Sequence, residues 1–164
     1  YLPDWRPGLD FKKIYSANSQ MGGGVHLDLF HELDYVIWLF GQPKSSSSIQ
    51  RSVSFLSIDS FDYANYILKY EKFTTSIILN YYRKKAKREM EIVFDQNIWN
   101  INLIKNVIRS DDGKVIFQVE NFDILQTYKL QLEYFIGCLN NNKKPMNSLK
   151  DSVPALKICL QNEK

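Results

Sequence analysis

Apolar residues recur at helical spacing in the first quarter of the chain. Over residues 25–40, one half of a helical wheel carries Leu29, Phe30, Leu33, Val36, Ile37 and Phe40. Three glycines at 22–24 precede this segment, and Gly41 with Pro43 follows it, a combination typical of a helix end. The pattern predicts a helix over 25–40, and the serines at 45–48 after it indicate a polar connector.

The period then changes to alternation, which indicates strands. The alternating segments are 49–57, 63–70, 73–82, 90–94, 99–103 and 115–119. Because short turns and no helices separate them, they predict an antiparallel meander. The side chains that alternate to the opposite face of the sheet are also partly apolar. They include Ile78, Tyr82, Val93, Ile104 and Ile116. That face is either a subunit interface or a face that a helix covers.

Two helical segments end the chain. Residues 123–139 carry an apolar stripe made of Ile124, Tyr128, Leu132, Phe135, Ile136 and Leu139. Ser148 and Asp151 have the spacing of a capping box for a last helix, in which Pro154 is tolerated near the first turn. The order of elements predicts an α+β domain: an open, mostly antiparallel sheet of about six strands with helices packed on one face.

Composition narrows the class of protein. The chain has 164 residues, 45% apolar and 24% charged, which is typical of one globular domain. A net charge of +3 with both signs scattered along the chain does not favour a nucleic-acid partner. No apolar run approaches the length of a membrane span and no secretory signal opens the sequence, so we expect no membrane partner and a cytoplasmic protein. The chain begins at Tyr1 without a methionine, and we expect it to be a piece of a longer protein.

The polar half of the first helical wheel contains two acid/base candidates. Asp28 and His31 are three residues apart, so on a helix they are neighbours that can hydrogen-bond. A histidine oriented by a carboxylate can move a proton near neutral pH. The alternative is structural: His31 packs at a helix–sheet junction and Asp28 caps the helix.

Other chemistry fits this stretch less well. A metal hydrolase using His26, Asp28 and His31 is one possibility, but on a helix His26 points about 160° away from Asp28. The glycines at 22–24 have no strand before them and no Gly-x-Gly-x-x-Gly spacing, so they do not form a dinucleotide fingerprint. In the loop over residues 1–21, Trp5, Arg6 and Tyr15 either line a pocket or pack the loop down.

The stretch at 22–41 is Gly-Gly-Gly-Val-x-x-Asp-Leu-x-His-Glu-x-Asp-Tyr-x-x-Trp-Leu-Phe-Gly. It resembles the start of the C-terminal domain of the Gfo/Idh/MocA oxidoreductases, the relatives of glucose–fructose oxidoreductase and inositol dehydrogenase. The resemblance extends over nearly the whole chain, and it also rests on residues 2–7 and 15–17, Tyr82, Arg83, Arg88, Tyr128, Glu133, Phe135, Ile136, Pro145, Asp151, Ala155 and Leu156.

This resemblance implies that residues 1–164 are a single C-terminal domain that contributes substrate contacts and a homo-oligomer interface on the open sheet face. The substrate would be a sugar, nucleotide sugar or cyclitol, and the cofactor NAD or NADP would be bound mainly by an N-terminal Rossmann domain. No Rossmann fingerprint and no Glu-Lys-Pro lysine segment occur here, so we expect the fragment alone not to turn over.

The resemblance also implies site residues. By position in the motif, His31 matches the family's catalytic histidine and Asp28 its aspartate, although many members space the pair by four residues rather than three. Arg6, Trp5 and Tyr15 would contact substrate, with Arg6 able to pair a carboxylate or phosphate. A non-enzymatic domain of the same fold, kept for dimerisation or ligand binding, is the alternative.

Overall fold

The computed structural model describes residues 1–161, which form two compact units. The first unit contains Tyr1–Lys84 and the described residues from Met146 onward, and the second contains Lys85–Pro145. No helix within residues 1–161 is long and apolar enough to cross a membrane. The two units are described separately below.

The first unit combines short helices with a three-stranded sheet. It begins with the 3-10 helices Leu2–Asp4, Phe11–Lys13, Tyr15–Ala17 and Ser19–Met21. The remaining elements are helix α1 (Val25–Asp28), helix α2 (Phe30–Phe40), strands β1 (Ser45–Arg51), β2 (Tyr63–Lys69) and β3 (Thr74–Asn80), and helix α4 (Leu149–Cys159). The second unit contains β4 (Glu89–Val93), β5 (Ile98–Asn102), β6 (Val107–Ser110), β7 (Val115–Gln118) and α3 (Ile124–Asn140).

All strand pairs are antiparallel, and the α+β class is confirmed. Hydrogen bonding divides the strands between a sheet of order β1-β2-β3 and a sheet of order β4-β5-β6-β7. The expectation of about six strands in one sheet therefore differs from the structure in number and in division. In the first sheet, alternation predicts the buried side correctly, since Ala64, Tyr66 and Leu68 are buried together with Leu79.

The serines at 45–48 are strand residues, so the prediction of a polar connector is wrong. Their hydroxyls are used by tertiary contacts: Ser46 Oγ donates to Gln161 Oε1 at 2.8 Å, and Ser48 Oγ donates to the Gln161 carbonyl. Deeper on the same face, Gln50 Nε2 and Tyr66 Oη donate to the Cys159 carbonyl at 2.6 and 2.9 Å. These donors satisfy carbonyls at the end of α4, which have no partner within the helix.

The helix predicted over 25–40 is interrupted at Leu29. The backbone there has φ −105° and ψ 23°, and it separates α1 from α2. Beyond the interruption the predicted stripe is correct, because Leu33, Val36 and Ile37 are buried. Gly41, with φ 81°, ends α2 as expected.

The second unit exposes most of its helix. The predicted apolar stripe of α3 is 44–63% exposed among the described residues, at Ile124, Tyr128, Leu132, Phe135, Ile136 and Leu139. Strand β6 (Val107–Ser110) lies outside the alternating segments, so the sequence pattern did not predict it. Contiguous exposed apolar side chains are typical of a surface that another molecule covers.

A buried carboxylate joins the loop over residues 52–61 to the first sheet. Asp62 is 1% exposed, and its Oδ1 accepts from the Val53 N–H at 2.9 Å. Its Oδ2 accepts from the N–H and the hydroxyl of Ser54 at 3.0 and 2.5 Å. The Asp62 carbonyl in turn accepts from the Tyr81 N–H at 3.0 Å, so this residue connects the loop to the end of β3.

Replacing Asp62 with alanine is expected to lower the free energy of unfolding by about 2–4 kcal/mol, because the partly buried N–H groups of Val53 and Ser54 and the Ser54 hydroxyl would lose their shared acceptor. Urea unfolding of both proteins measures the difference. Asp59→Ala is the matched control, since Asp59 also accepts from the Ser19 N–H but is exposed. An equal loss of unfolding free energy in Asp62→Ala and Asp59→Ala would show that burial of the carboxylate adds nothing to its stabilising effect.

Candidate functional site

Tyr81 is the centre of a cluster at the end of β3. Its side chain is fully buried, and its hydroxyl donates to Asp28 Oδ2 at 2.5 Å. The Trp5 ring meets the Tyr81 ring edge to face, with centroids 5.4 Å apart. The Leu2 N–H donates to the Tyr81 carbonyl at 2.9 Å, which places the N-terminal segment beside the strand end.

The Tyr81 phenol is a donor and not a base. Burial raises its pKa, and the hydrogen bond and negative charge of Asp28 raise the pKa further, while a hydrogen bond from the Gly24 backbone opposes the shift. The phenol therefore stays protonated through the neutral range and holds one carboxylate oxygen of Asp28 in place.

Of the three predicted substrate contacts, Trp5 belongs to this cluster, and Arg6 and Tyr15 form a pair on the same N-terminal segment. The Arg6 guanidinium lies over the Tyr15 ring, 5.3 Å from its centroid. Trp5 and Tyr15 are 41% and 40% exposed, and each therefore presents part of an aromatic face to solvent. Their predicted role in substrate binding stays a prediction.

The side chains of His31 and Asp28 contact different partners. It is in the first turn of α2, its side chain is 56% exposed, and its Nε2 lies 3.1 Å from Glu32 Oε1. The expected Asp28–His31 pair is not formed, because the interruption at Leu29 ends the helical register between them and Tyr81 takes the carboxylate. An exposed imidazole beside a carboxylate is nevertheless accessible to a substrate.

His26 is part of the core. It is 7% exposed, and its ring meets Phe61 with centroids 5.5 Å apart. Burial lowers the pKa of His26, against the opposing charge of Asp28, which favours a neutral imidazole at pH 7. Within residues 1–161 no three His, Cys, Asp or Glu side chains come together as a metal site, so the ligand set of His26, Asp28 and His31 is not formed.

The glycines at 22–24 allow close backbone packing. A Cβ on Gly23 would lie 2.1 Å from the Tyr15 carbonyl oxygen and 2.7 Å from those of Ser16 and Asn18. A Cβ on Gly24 would lie 2.6 Å from the His26 ring. The loop that carries Tyr15 is thus packed directly against the glycine segment.

Tyr81 is the residue that sequence reasoning missed. It shares its face with Thr75, Ile77 and Leu79, and the alternation indicates an ordinary core position. A tyrosine at the end of a core strand needs a partner for its hydroxyl, and this need was the available signal. The partner itself lies 53 residues away in sequence, so the pair could not be identified from spacing.

Comparison with known proteins gives structural matches only. No family model matches the sequence. No curated protein matches it either. UDP-N-acetylglucosamine 3-dehydrogenase GnnA from Acidithiobacillus ferrooxidans matches 84% of the chain with a TM-score of 0.69 and 16% identity. Biliverdin reductase from Synechocystis sp. PCC 6803, solved with biliverdin and NADP+, matches 89% with a TM-score of 0.70 and 13% identity. A dehydrogenase (MviM) from Clostridium difficile matches 89% with a TM-score of 0.68 and 17% identity.

The chain spans less than half the length of these proteins, 45%, 47% and 47% respectively. At such low identity the likeness concerns the fold. The chain has the α+β fold of one part of these oxidoreductases, and the fold implied by the resemblance to the Gfo/Idh/MocA proteins is confirmed.

Proposed function

We propose that this chain is the C-terminal substrate domain of an NAD(P)-dependent oxidoreductase of the Gfo/Idh/MocA type, acting on a sugar, nucleotide sugar or cyclitol. The observation that carries the proposal is the cluster around Tyr81. It brings together Asp28, Trp5 and the Arg6–Tyr15 pair, in a fold shared with part of several oxidoreductases. Aromatic faces beside a fixed carboxylate suit the recognition of a polyhydroxylated substrate.

The cofactor would be NAD or NADP, held mainly by an N-terminal Rossmann domain. The glycine segment of this chain is filled by the carbonyls of Tyr15, Ser16 and Asn18, so it does not fit a pyrophosphate. When bound by the other domain, the nicotinamide would accept or donate the hydride. The compartment expected for this proposed enzyme is the cytoplasm.

In this proposal His31 exchanges the proton of the reacting hydroxyl, and Asp28 accepts a hydrogen bond from substrate through the oxygen that Tyr81 does not occupy. Tyr81 keeps the carboxylate oriented, since its own hydrogen bond joins α1 to the end of β3. Arg6, Trp5 and Tyr15 contact the rest of the substrate. These proposed roles agree with the solvent exposure and the contacts of each of these side chains.

The oligomer interface would lie on the open sheet faces. Of the apolar residues on the second strand parity, Ile78 in the first sheet is 60% exposed, and Val93, Ile104 and Ile116 in the second unit are 43–69% exposed. The exposed stripe of α3 adds to the apolar surface of the second unit. Both features support a homo-oligomer.

A non-enzymatic ligand-binding or dimerisation domain is the second candidate. It is favoured by one observation: Asp28 and His31 already have partners, Tyr81 and Glu32, without any ligand. In that case both side chains would serve only the fold.

The test joins the chain to its native upstream domain and follows nicotinamide absorbance with NAD(H) and NADP(H) against neutral sugars, cyclitols and nucleotide sugars. We expect turnover of at least one substrate class in the joined protein and none in the isolated chain. Cofactor binding without turnover of any class would contradict the enzymatic proposal and favour the second candidate.

A further inference from the structure

A cavity of about 460 Å³ lies at one end of the second sheet, between residues of the β4–β5 turn and the β6–β7 turn. Its volume is within the range of roughly 300–1,000 Å³ that is typical of small-molecule sites. The residues that line it all belong to the second unit, whereas Tyr81 and its partners belong to the first. The cavity is therefore a different place from the site considered so far.

Trp99 provides the aromatic part of the cavity lining. It lies on β5, directly across from Ser110 in the β5–β6 ladder. The Phe94 ring meets the Trp99 ring edge to face, with centroids 4.9 Å apart, and this contact restrains the indole. Val115 and Ile116 add aliphatic surface, and they are 42% and 43% exposed. The lining thus offers an apolar surface to the C–H groups of a ligand.

The β6–β7 turn holds the carboxylate of Asp112 in place. The Ser110 hydroxyl and the Lys114 N–H both donate to Asp112 Oδ1, the second at 3.0 Å. The Ser110 N–H also donates to the Lys114 carbonyl at 3.0 Å, which closes the turn. The hydrogen bond from the Ser110 hydroxyl lowers the pKa of Asp112, and that from the Lys114 N–H lowers it further, so the carboxylate is ionised at neutral pH. Both hydrogen bonds use Oδ1, so Oδ2 is the oxygen left for a ligand.

The rim of the cavity supplies donors as well as acceptors. Asn97 contributes an amide, which both donates and accepts, and Lys114 contributes an ammonium group. Lys114 and Asp112 carry opposite charges, and the charge of Lys114 adds to the lowering of the Asp112 pKa. With one carboxylate and one ammonium group, the lining has no net charge that would favour an ion.

We propose that this cavity is a second binding site, for a neutral saccharide whose ring packs on Trp99 and whose hydroxyls bind Asn97, Asp112 and Lys114. Sugar hydroxyls both donate and accept hydrogen bonds, so they match a rim of amide, carboxylate and ammonium groups. The C–H faces of a sugar ring are apolar, so they match the indole and its aliphatic neighbours. This site lies outside the proposed reaction and does not depend on it.

The test follows the indole N–H signals of the purified chain by NMR during titration with glucose, N-acetylglucosamine and maltose. The three tryptophans report on three places: Trp5 on the Tyr81 cluster, Trp38 on α2 and Trp99 on the cavity. Replacing each tryptophan singly with phenylalanine assigns the signals. We expect at least one saccharide to shift the Trp99 signal to saturation and to leave the Trp38 signal unchanged.

Asn97→Ala tests the polar rim without disturbing the sheet. Asn97 is exposed, and it accepts the Phe94 N–H at 2.7 Å through its backbone carbonyl, which alanine keeps. Saccharide affinity should fall about three- to tenfold, as expected for the loss of one hydrogen bond. Asn100→Ala is the matched control, because Asn100 is also exposed but alternates to the opposite side of β5 from Trp99. Its saccharide affinity should equal that of the wild type.

Absence of a Trp99 shift with all three saccharides would overturn the inference. Equal affinities of the Asn97→Ala and Asn100→Ala variants would overturn it as well. Glucuronate adds one carboxylate to glucose and should bind no more tightly, so tighter binding would identify an anion site instead.

A shift confined to the Trp5 signal would place the sugar at the Tyr81 cluster. That outcome would reject the second site and support the proposed function. A shift confined to the Trp99 signal would support the second site whether or not the joined protein turns over a substrate. The failure of this inference is thus distinguishable from the failure of the proposed function.

Discussion

Replacing Gly23 with alanine is expected to destroy most of the stability of the first unit, at a cost of about 4 kcal/mol or more. The new Cβ would lie 2.1 Å from the Tyr15 carbonyl oxygen and 2.7 Å from two further carbonyl oxygens. Backbone atoms cannot rotate away as a flexible side chain does. The loop carrying Tyr15 would have to leave the glycine segment, and natural domains have only about 5–15 kcal/mol to lose.

Gly22→Ala is the matched control for this prediction. Gly22 has φ +78°, but nothing lies within 4 Å of the position of its Cβ. Its substitution should therefore cost only the backbone strain of a left-handed residue, about 1–2 kcal/mol. Thermal and urea unfolding followed by circular dichroism compares the two variants. A Gly23→Ala protein as stable as Gly22→Ala would show that the loop moves at little cost.

In the proposed enzyme, with the proposed upstream domain joined to this chain, replacing His31 with alanine is expected to lower kcat by about 10²–10⁴-fold, the contribution typical of a general acid or base. His31 is the acid/base candidate that stays accessible, with a side chain 56% exposed. For the same reason its removal should leave the melting temperature and nicotinamide binding unchanged. Nicotinamide absorbance measures turnover, and cofactor titration measures binding.

Tyr81→Phe separates chemistry from positioning in the same assay. The variant keeps the ring that meets Trp5 and removes only the hydroxyl that binds Asp28. Its loss in kcat should be smaller than that of His31→Ala, because the carboxylate is still present but less firmly held.

Turnover by His31→Ala equal to that of the wild type would end the catalytic assignment and favour the non-enzymatic domain.

Features that depend on neighbours in sequence were predictable. The core stripe of α2 at Leu33, Val36 and Ile37 follows from helical period, and the end of α2 follows from Gly41. The capping box of Ser148 and Asp151 forms as its spacing indicates. Alternation likewise identified β2 and its buried side. These features were predictable because one turn of helix or a few residues of strand contain all the groups that interact.

The candidate site was predictable only in part. Trp5, Arg6, Tyr15 and Asp28 were chosen from residue type and from the resemblance. In the structure Trp5 and Asp28 both contact Tyr81, and Arg6 lies over the Tyr15 ring. The expected hydrogen bond between Asp28 and His31 is absent because Leu29 interrupts the helix. A wheel assumes continuous helical dihedral angles, and it cannot register such an interruption.

Sequence by itself therefore determined the fold class, most helices and strands, and the residue types available for chemistry. Tertiary structure decided which of those residues meet. It made the serines at 45–48 a strand by pairing them with β2, and it gave the hydroxyls of Ser46 and Ser48 to Gln161. It also buried Asp62 under the loop that the carboxylate binds. It also paired Tyr81 with Asp28 across 53 residues. The physical reason is that a buried polar group must find a partner, and a distant partner is positioned only when the chain folds.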